Sequence, residues 1–252
     1  MSIAAIVVVC LALCGAMLLC LEIGYRIGRR RRRLPDPGDR DVHGVFEAAI
    51  FALLGLLLGF AFAGSLDRLE ARRDLIIREA NAIGTAYLRV DLLAPEYQPE
   101  IRRLFHDYLE ARLRVFDEID AGRGFDPAMA EVSRLQQRIW QKAVEGTRET
   151  TALLVLPPLN DMIDVTTTRG VALRTQMPLP ILALLLGVAL LTSLLAGHGM
   201  ARSGRRSLLH GVLYALAVTL TIYVVLDLDN PRTGLIRVDA AEQALRQLQR
   251  EI

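Results

Sequence analysis

The chain alternates between long apolar runs and charged segments, and four of the runs are long enough to cross a membrane. A helix rises 1.5 Å per residue, so about 20 apolar residues span a hydrocarbon core of roughly 30 Å. The pattern predicts membrane spans at 1–28, 45–66, 178–200 and 208–228. In the first run the arginines follow the apolar core, whereas a signal peptide carries its positive charges first. We therefore interpret this run as a retained span.

The second apolar run continues without a proline into a charged helix. Glu47 is the only charged residue from Val45 to Leu66, and charged and apolar positions then recur at helical periodicity up to Leu88. The sequence predicts one continuous rod from Phe46 to Leu88. A rod that leaves the bilayer and enters a helical domain fits a pore wall or a signal transmitter better than a simple anchor.

The segment 67–177, between the second and third spans, is predicted to be a helical extramembrane domain, because it contains no strand pattern. We expect helices at roughly 66–94, 97–121 and 127–155, with Pro157-Pro158 breaking the last one and 159–174 resuming it. The predicted fold is thus an all-α membrane protein with four transmembrane helices and a helical domain between spans 2 and 3.

Three polar segments complete the chain: an Arg-rich loop at 29–44, a basic loop at 201–207 and a C-terminal segment at 229–252. The first loop opens with five consecutive arginines, Arg29 to Arg33. Such a run either determines membrane topology or binds anionic lipid head groups.

The composition and the missing motifs argue against several classes of function. Of the 252 residues 52% are hydrophobic, and the net charge is only +2. Nucleic acid is not expected as a partner, because that role needs a large basic surplus on one face. The histidines are scattered, no nucleotide-binding or hydrolase motif occurs, and the three cysteines lie inside the first apolar run. We predict no enzymatic activity, no cofactor and no bound metal.

Two patterns stand out in the second span. Ala52, Leu56 and Phe60 repeat every four residues and so share a helix face. This face either contacts lipid or its own bundle, or forms an apolar pore constriction that gates by excluding water. Gly55 and Gly59 form a Gly-x-x-x-Gly pair, which allows close packing against another helix.

A short acidic stretch follows the last span. Asp227, Asp229 and Asn230 offer oxygen ligands of the kind that hard cations prefer. Asn230 also precedes a proline, with a glycine close behind, and this pattern is typical of a tight turn. We favour the turn.

Several of these segments together resemble bestrophins. Gly59-Phe60, followed by Arg68 and Glu70-Ala71-Arg72, is similar to the end of the bestrophin second span, and Pro178-Leu179-Pro180 resembles the Pro-x-Pro that opens the third span in bacterial members. The acidic stretch from Asp227 resembles the one after their last span, and Glu79 to Arg89 is similar to a group of uncharacterised bestrophin-like bacterial proteins. The motif residues carried by the resemblance are Arg68, Glu70, Arg72, Glu79, Asn81 and Gly84.

The resemblance implies a homopentamer in the lipid bilayer, in which the second spans line a central pathway for inorganic anions. Ala52, Leu56 and Phe60 then match the apolar constriction of the family. It also places the helical domain in the cytoplasm, whereas the arginines in loops 29–44 and 201–207 favour those loops inside and the domain outside. Both orientations stay open.

The sequence thus predicts a multi-pass protein of a bacterial inner membrane that acts as a passive chloride channel. The alternative is a non-conducting scaffold or sensor whose helical domain binds a partner protein. Ala61-Phe62 favours this alternative, because the resemblance leads one to expect a polar or charged pair at these positions.

Overall fold

A computed structural model describes residues 3–30, 37–121, 126–203, 207–230 and 239–252. Its elements are α1 (Ile3–Arg30), α2 (Pro37–Leu88), a 3-10 turn (Arg89–Leu92), α3 (Gln98–Asp120), α4 (Asp126–Gly146), α5 (Ala152–Arg174), α6 (Leu179–Ser203), α7 (Leu208–Asp229) and α8 (Asp239–Glu251). The described residues contain no strand, and the all-α fold is confirmed.

The chain divides into two compact units. We call Met1–Arg68 with Gln176–Asn230 the membrane unit, and Leu69–Thr175 with Pro231–Ile252 the helical unit. Within the described residues, four stretches are long and apolar enough to cross a membrane: Ile3–Arg30, Gly44–Leu92, Ala152–Arg202 and Leu208–Asp229. Their number agrees with the four predicted spans.

The predicted rod is confirmed, because α2 is a single helix of 52 residues. It begins at Pro37, inside the segment predicted as the Arg-rich loop. Proline is favourable at the first position of a helix, where its missing N–H has no partner to lose.

The predicted break at Pro157-Pro158 is wrong. Both prolines lie inside α5, and the interruption falls earlier, between Gly146 and Ala152. Gly146 ends α4, its carbonyl accepts a hydrogen bond from the Ala94 N–H at 3.0 Å, and a Cβ at this position would lie 2.9 Å from the Cβ of Tyr97. The glycine that ends the helix was the stronger sequence signal.

Residues of four helices, α1, α2, α6 and α7, form the core of the membrane unit. On α1, Ile6, Cys10, Leu13 and Met17 are buried at spacings of four, three and four residues, which places them on one face. They pack in one cluster with residues of α6 and α7, among them Leu185, Ala189, Ala215 and Ile222. Cys10 acts here as a small apolar side chain.

Helices α1 and α6 approach each other to backbone contact. A Cβ atom on Gly24 would lie 2.0 Å from the carbonyl oxygen of Leu194, and one on Gly197 would lie 1.9 Å from the carbonyl oxygen of Leu21. Only glycine fits at both positions. Gly24 and Gly28 form a Gly-x-x-x-Gly pair that the sequence analysis overlooked.

Gly197→Ala is expected to destabilise the membrane unit by about 1–3 kcal/mol, because the new methyl group meets backbone that no side-chain rotation can clear. The measurement is the temperature at which half of the detergent-solubilised protein is lost from its gel-filtration peak. Gly187→Ala is the matched control, since it lies on the same helix and no described atom comes within 4 Å of its Cβ position. An equal melting temperature for both variants would contradict the close approach.

The helical unit has its own core, in which α3 packs on α4 and α8. Phe105, Tyr108, Leu109 and Phe116 of α3 are fully buried. The C-terminal helix joins this core through Leu245, and the Tyr87 hydroxyl donates a hydrogen bond of 3.3 Å to the Ile252 carbonyl.

Candidate functional site

The described residues leave the apolar face predicted as a constriction largely exposed. Ala52 is exposed, Leu56 is 54% exposed and Phe60 is 67% exposed. From Ala52 to Phe60 the face extends about 12 Å along α2, at 1.5 Å per residue. Three apolar side chains of increasing size are thus free to meet either lipid or other copies of the chain.

The glycine pair on α2 is equally open. Among the described residues, no atom lies within 4 Å of a Cβ placed on Gly55 or Gly59. Both glycines flank the apolar face, one position before Leu56 and one before Phe60. The pair therefore does not pack against a described helix of its own chain, unlike Gly24 and Gly197.

The opposite side of α2 is buried. Leu54, Ala61 and Ser65 have almost no exposed surface, and their spacings of seven and four residues place them on one face. Leu57 and Leu58 pack partly against the same core. This face fixes the rotation of α2 and so determines which residues stay uncovered.

A partly buried polar contact anchors α2 about 12 Å beyond Phe60, eight residues further along the helix. The Arg68 Nε donates to Asp229 Oδ1 at 2.6 Å, and a second Arg68 nitrogen donates to the Ser65 hydroxyl at 2.8 Å. The other oxygen of Asp229 accepts the backbone N–H of Met177 at 2.7 Å. One carboxylate thus joins α2, α7 and the segment before α6.

The acidic stretch is the end of a helix. Asp227 and Asp229 lie in the last turn of α7, and both are buried. Asn230 caps this end, and its side-chain amide donates to the Leu226 carbonyl at 2.8 Å. In the described part of the chain no three His, Cys, Asp or Glu residues cluster as a metal site would require. Asp229 instead has a cation of its own chain, Arg68.

The remaining motif residues lie in the helical unit. Glu70 and Asn81 are exposed, and a Cβ on Gly84 would contact Leu248 of α8 at 3.5 Å. Arg72 is buried and donates to the Thr175 carbonyl at 2.6 Å and the Ala172 carbonyl at 3.3 Å. A guanidinium there satisfies the free carbonyls at the end of α5.

Glu79 is the centre of a buried ion triad. Arg112 of α3 donates to its Oε1 at 2.5 Å, and Arg169 of α5 donates to its Oε2. Glu79 is 0% exposed, and the Arg169 guanidinium lies 4.3 Å from the centre of the Phe116 ring. Next to the triad, the Tyr108 hydroxyl pairs with Thr166 at 2.9 Å and accepts the Gln136 amide at 3.3 Å.

The triad stays charged because its members stabilise each other. Burial alone would raise the pKa of Glu79, but the charges and hydrogen bonds of Arg112 and Arg169 outweigh it and hold the pKa below 4.5, its ordinary value. Burial likewise favours a lower pKa for Arg112, and Glu79 reverses this. A fully buried carboxylate with both oxygens occupied is a structural link between α2, α3 and α5.

Sequence reasoning selected Glu79 only as a motif residue and missed both arginines. Arg112 and Arg169 lie 33 and 90 residues away from it. Each occupies a buried helix face, between Leu109 and Phe116 for Arg112, and near Met162 and Thr166 for Arg169. A charge on a buried helix face was the available signal.

The chain is similar to known proteins in its domain match and in its fold. A family model described as the bestrophin-like domain matches residues 11–243. A variant of a bacterial bestrophin homologue from Klebsiella pneumoniae is similar in structure, with a TM-score of 0.60, 14% identity and coverage of 97% of this chain and 98% of its own. A second structure of a bestrophin homologue from that organism has a TM-score of 0.59 and 15% identity, with coverage of 95% of this chain and 97% of its own.

A variant of a protein described only as a membrane protein is also similar, with a TM-score of 0.63, 14% identity and coverage of 97% of this chain and 98% of its own. No curated protein matches the chain. At these identities the structural likeness establishes the fold, and the family rests on the domain match.

Proposed function

The chain belongs to the bestrophin-like family, and we propose that it is a homopentameric passive anion channel of a bacterial inner membrane, with chloride as the ion. In this proposal five copies of α2 surround the pathway. Ala52, Leu56 and Phe60 form its apolar constriction, and Gly55 and Gly59 let neighbouring copies of α2 approach closely.

The uncovered apolar face of α2 carries the proposal. One side of the helix is buried in the bundle and anchored by Arg68 and Asp229. The constriction residues on the other side are exposed, and no described atom lies within 4 Å of a Cβ placed on Gly55 or Gly59. In a ring of identical helices, such a face is covered by its own symmetry copies or turned to a central axis.

The chemistry of this face supports passive conduction of anions. No charged residue lies between Glu47 and Asp67, so no fixed charge ring holds an ion inside the span. An apolar constriction gates by dewetting, and the edge of a Phe60 ring presents the positive end of its quadrupole to a passing anion. In this proposal the span contains no anion-binding site. Selectivity depends on how well the Phe60 ring edges tolerate an anion and on how easily the ion loses its water.

Chloride entry into liposomes tests the proposal. We expect purified protein to run at the mass of five copies of the 27.9 kDa chain and, after reconstitution, to quench an enclosed halide-sensitive dye faster than empty liposomes do. A folded oligomer that admits no chloride would contradict conduction. It would favour the alternative of a scaffold or sensor whose helical domain binds a partner protein.

A further inference from the structure

The membrane unit contains a cavity of about 300 Å³ between α1, α2 and α6. This volume is at the lower end of the range found for small-molecule sites. Its walls are apolar, and two polar side chains, Glu47 and His198, also line it. The apolar lining side chains are Ile27, Phe46, Ile50, Leu194 and Leu195.

The cavity lies near the ends of two spans. Ile27 is three residues before the end of α1, and His198 is five residues before the end of α6. Arg29 and Arg30 follow on α1, and both are exposed. Apolar walls next to exposed arginines are what the boundary between hydrocarbon and head groups requires.

Glycines shape the polar end of the cavity. A Cβ on Gly28 would lie 3.0 Å from Nδ1 of His198, and one on Gly199 would lie 3.2 Å from Oε2 of Glu47. Any larger residue at either position would crowd the imidazole or the carboxylate. The backbone contact between Gly24 and Leu194 closes the cavity between α1 and α6.

Glu47 provides a charge that is available to a ligand. It is half-buried, and no residue in the described part of the chain forms a hydrogen bond or an ion pair with its carboxylate. The same holds for His198. A partly desolvated carboxylate favours a ligand that brings both positive charge and N–H donors.

We propose that this cavity binds the head group of a phospholipid that carries a primary ammonium, as phosphatidylethanolamine does. The Glu47 carboxylate accepts hydrogen bonds from the ammonium, the lipid phosphate lies toward Arg29 and Arg30, and the acyl chains follow the apolar walls. This lipid site is independent of conduction and needs only the fold of the membrane unit.

Lipid retention by the full-length protein tests the site. The protein is exchanged into detergent that contains equal amounts of phosphatidylethanolamine, phosphatidylcholine and phosphatidylglycerol, and the lipids that stay bound are counted by native mass spectrometry. We expect phosphatidylethanolamine to be retained about tenfold over phosphatidylcholine, whose quaternary ammonium has no N–H to donate. Equal retention of these two lipids would overturn the proposal.

Two variants assign the preference to the cavity. Glu47→Gln should remove it, while Glu22→Gln should keep it, because Glu22 lies on α1 outside the cavity lining and pairs with Arg26 at 2.8 Å. Ile50→Trp should lower retention by filling the cavity while leaving the carboxylate in place. A Glu47→Gln protein that elutes normally and still prefers phosphatidylethanolamine would overturn the proposal, as would a preference for phosphatidylglycerol, which the arginines alone would produce.

A soluble competitor identifies the source of the head group. Phosphoethanolamine without acyl chains should not displace the bound lipid at equal concentration, because the apolar walls contribute to binding. Displacement at equal concentration would show that the cavity recognises a free solute, and the assignment to a membrane lipid would be wrong.

Discussion

Phe60→Ala is expected to raise chloride entry into liposomes about tenfold, which corresponds to a barrier about 1.4 kcal/mol lower. In the proposed pentamer Phe60 is the largest side chain of the constriction, and it is 67% exposed within the chain. Removing five rings widens the narrowest segment and lets water enter it, so an ion sheds less of its hydration shell. The measurement is the initial rate of dye quenching at equal protein density.

Phe62→Ala is the matched control for this experiment. It removes the same ring from the same helix, but two residues at 100° each rotate its side chain about 200° away from Phe60. Phe62 is 41% exposed, so neither variant opens a buried core. If chloride enters at the same rate with Phe60→Ala as with the unchanged protein, this face is not the constriction. An equal rise in both variants would indicate a general loosening of the membrane unit.

The sequence predicted the features that depend on local pattern. Four apolar runs and a proline-free joint after Leu66 are visible without knowledge of any contact, and they correspond to the spans and to the 52-residue α2. The ends of the helices are predicted less accurately from the sequence. Pro157 and Pro158 are expected to break a helix, yet they lie inside α5, and the chain is interrupted earlier, after Gly146.

The glycine pairs show where local pattern stops being informative. Gly24 with Gly28 and Gly55 with Gly59 have the same spacing. The first pair lies against α6, whereas the second has no described neighbour within 4 Å. Spacing alone indicates that a helix can be approached closely. Which helix approaches it depends on the tertiary arrangement of the bundle.

The charged residues show the same limit. Arg68 and Asp229 were both selected from the sequence, but as separate features, a motif arginine and an acidic turn. The structure joins them across 161 residues in one ion pair, and the second carboxylate oxygen of Asp229 accepts the Met177 N–H. Sequence spacing cannot predict such a contact, because both partners belong to helices whose relative rotation is set by the apolar core.

Glu79→Gln is expected to lower the free energy of unfolding of the helical unit by about 3–5 kcal/mol at neutral pH, because it removes the carboxylate charge that pairs with two buried guanidinium groups. Arg112 and Arg169 are each almost completely buried, so water cannot replace the lost carboxylate. Trp140 of α4, the only tryptophan of the chain, gives a fluorescence signal for denaturant unfolding of this unit.

Glu70→Gln supplies the matched control, since it makes the same substitution on the same helix at an exposed position. Its free energy of unfolding should stay within about 0.5 kcal/mol of that of the unchanged protein. Equal midpoints for the Glu79 and Glu70 variants would contradict the structural role of the triad.

Acid should remove the stabilisation that ionised Glu79 gives to the folded helical unit. The folded state holds the pKa of Glu79 below its ordinary value of 4.5, so the folded carboxylate releases its proton more readily than the unfolded one. The stabilisation is therefore fully present above pH 4.5 and is lost as the pH falls through the lower folded pKa. The unfolding curves of the unchanged protein and Glu79→Gln should converge in that acidic range. The difference in unfolding free energy between Glu70→Gln and the unchanged protein should stay the same there. A difference that persists unchanged into acid would mean that the cost of Glu79→Gln comes from packing, because only the charge of the carboxylate is lost on protonation.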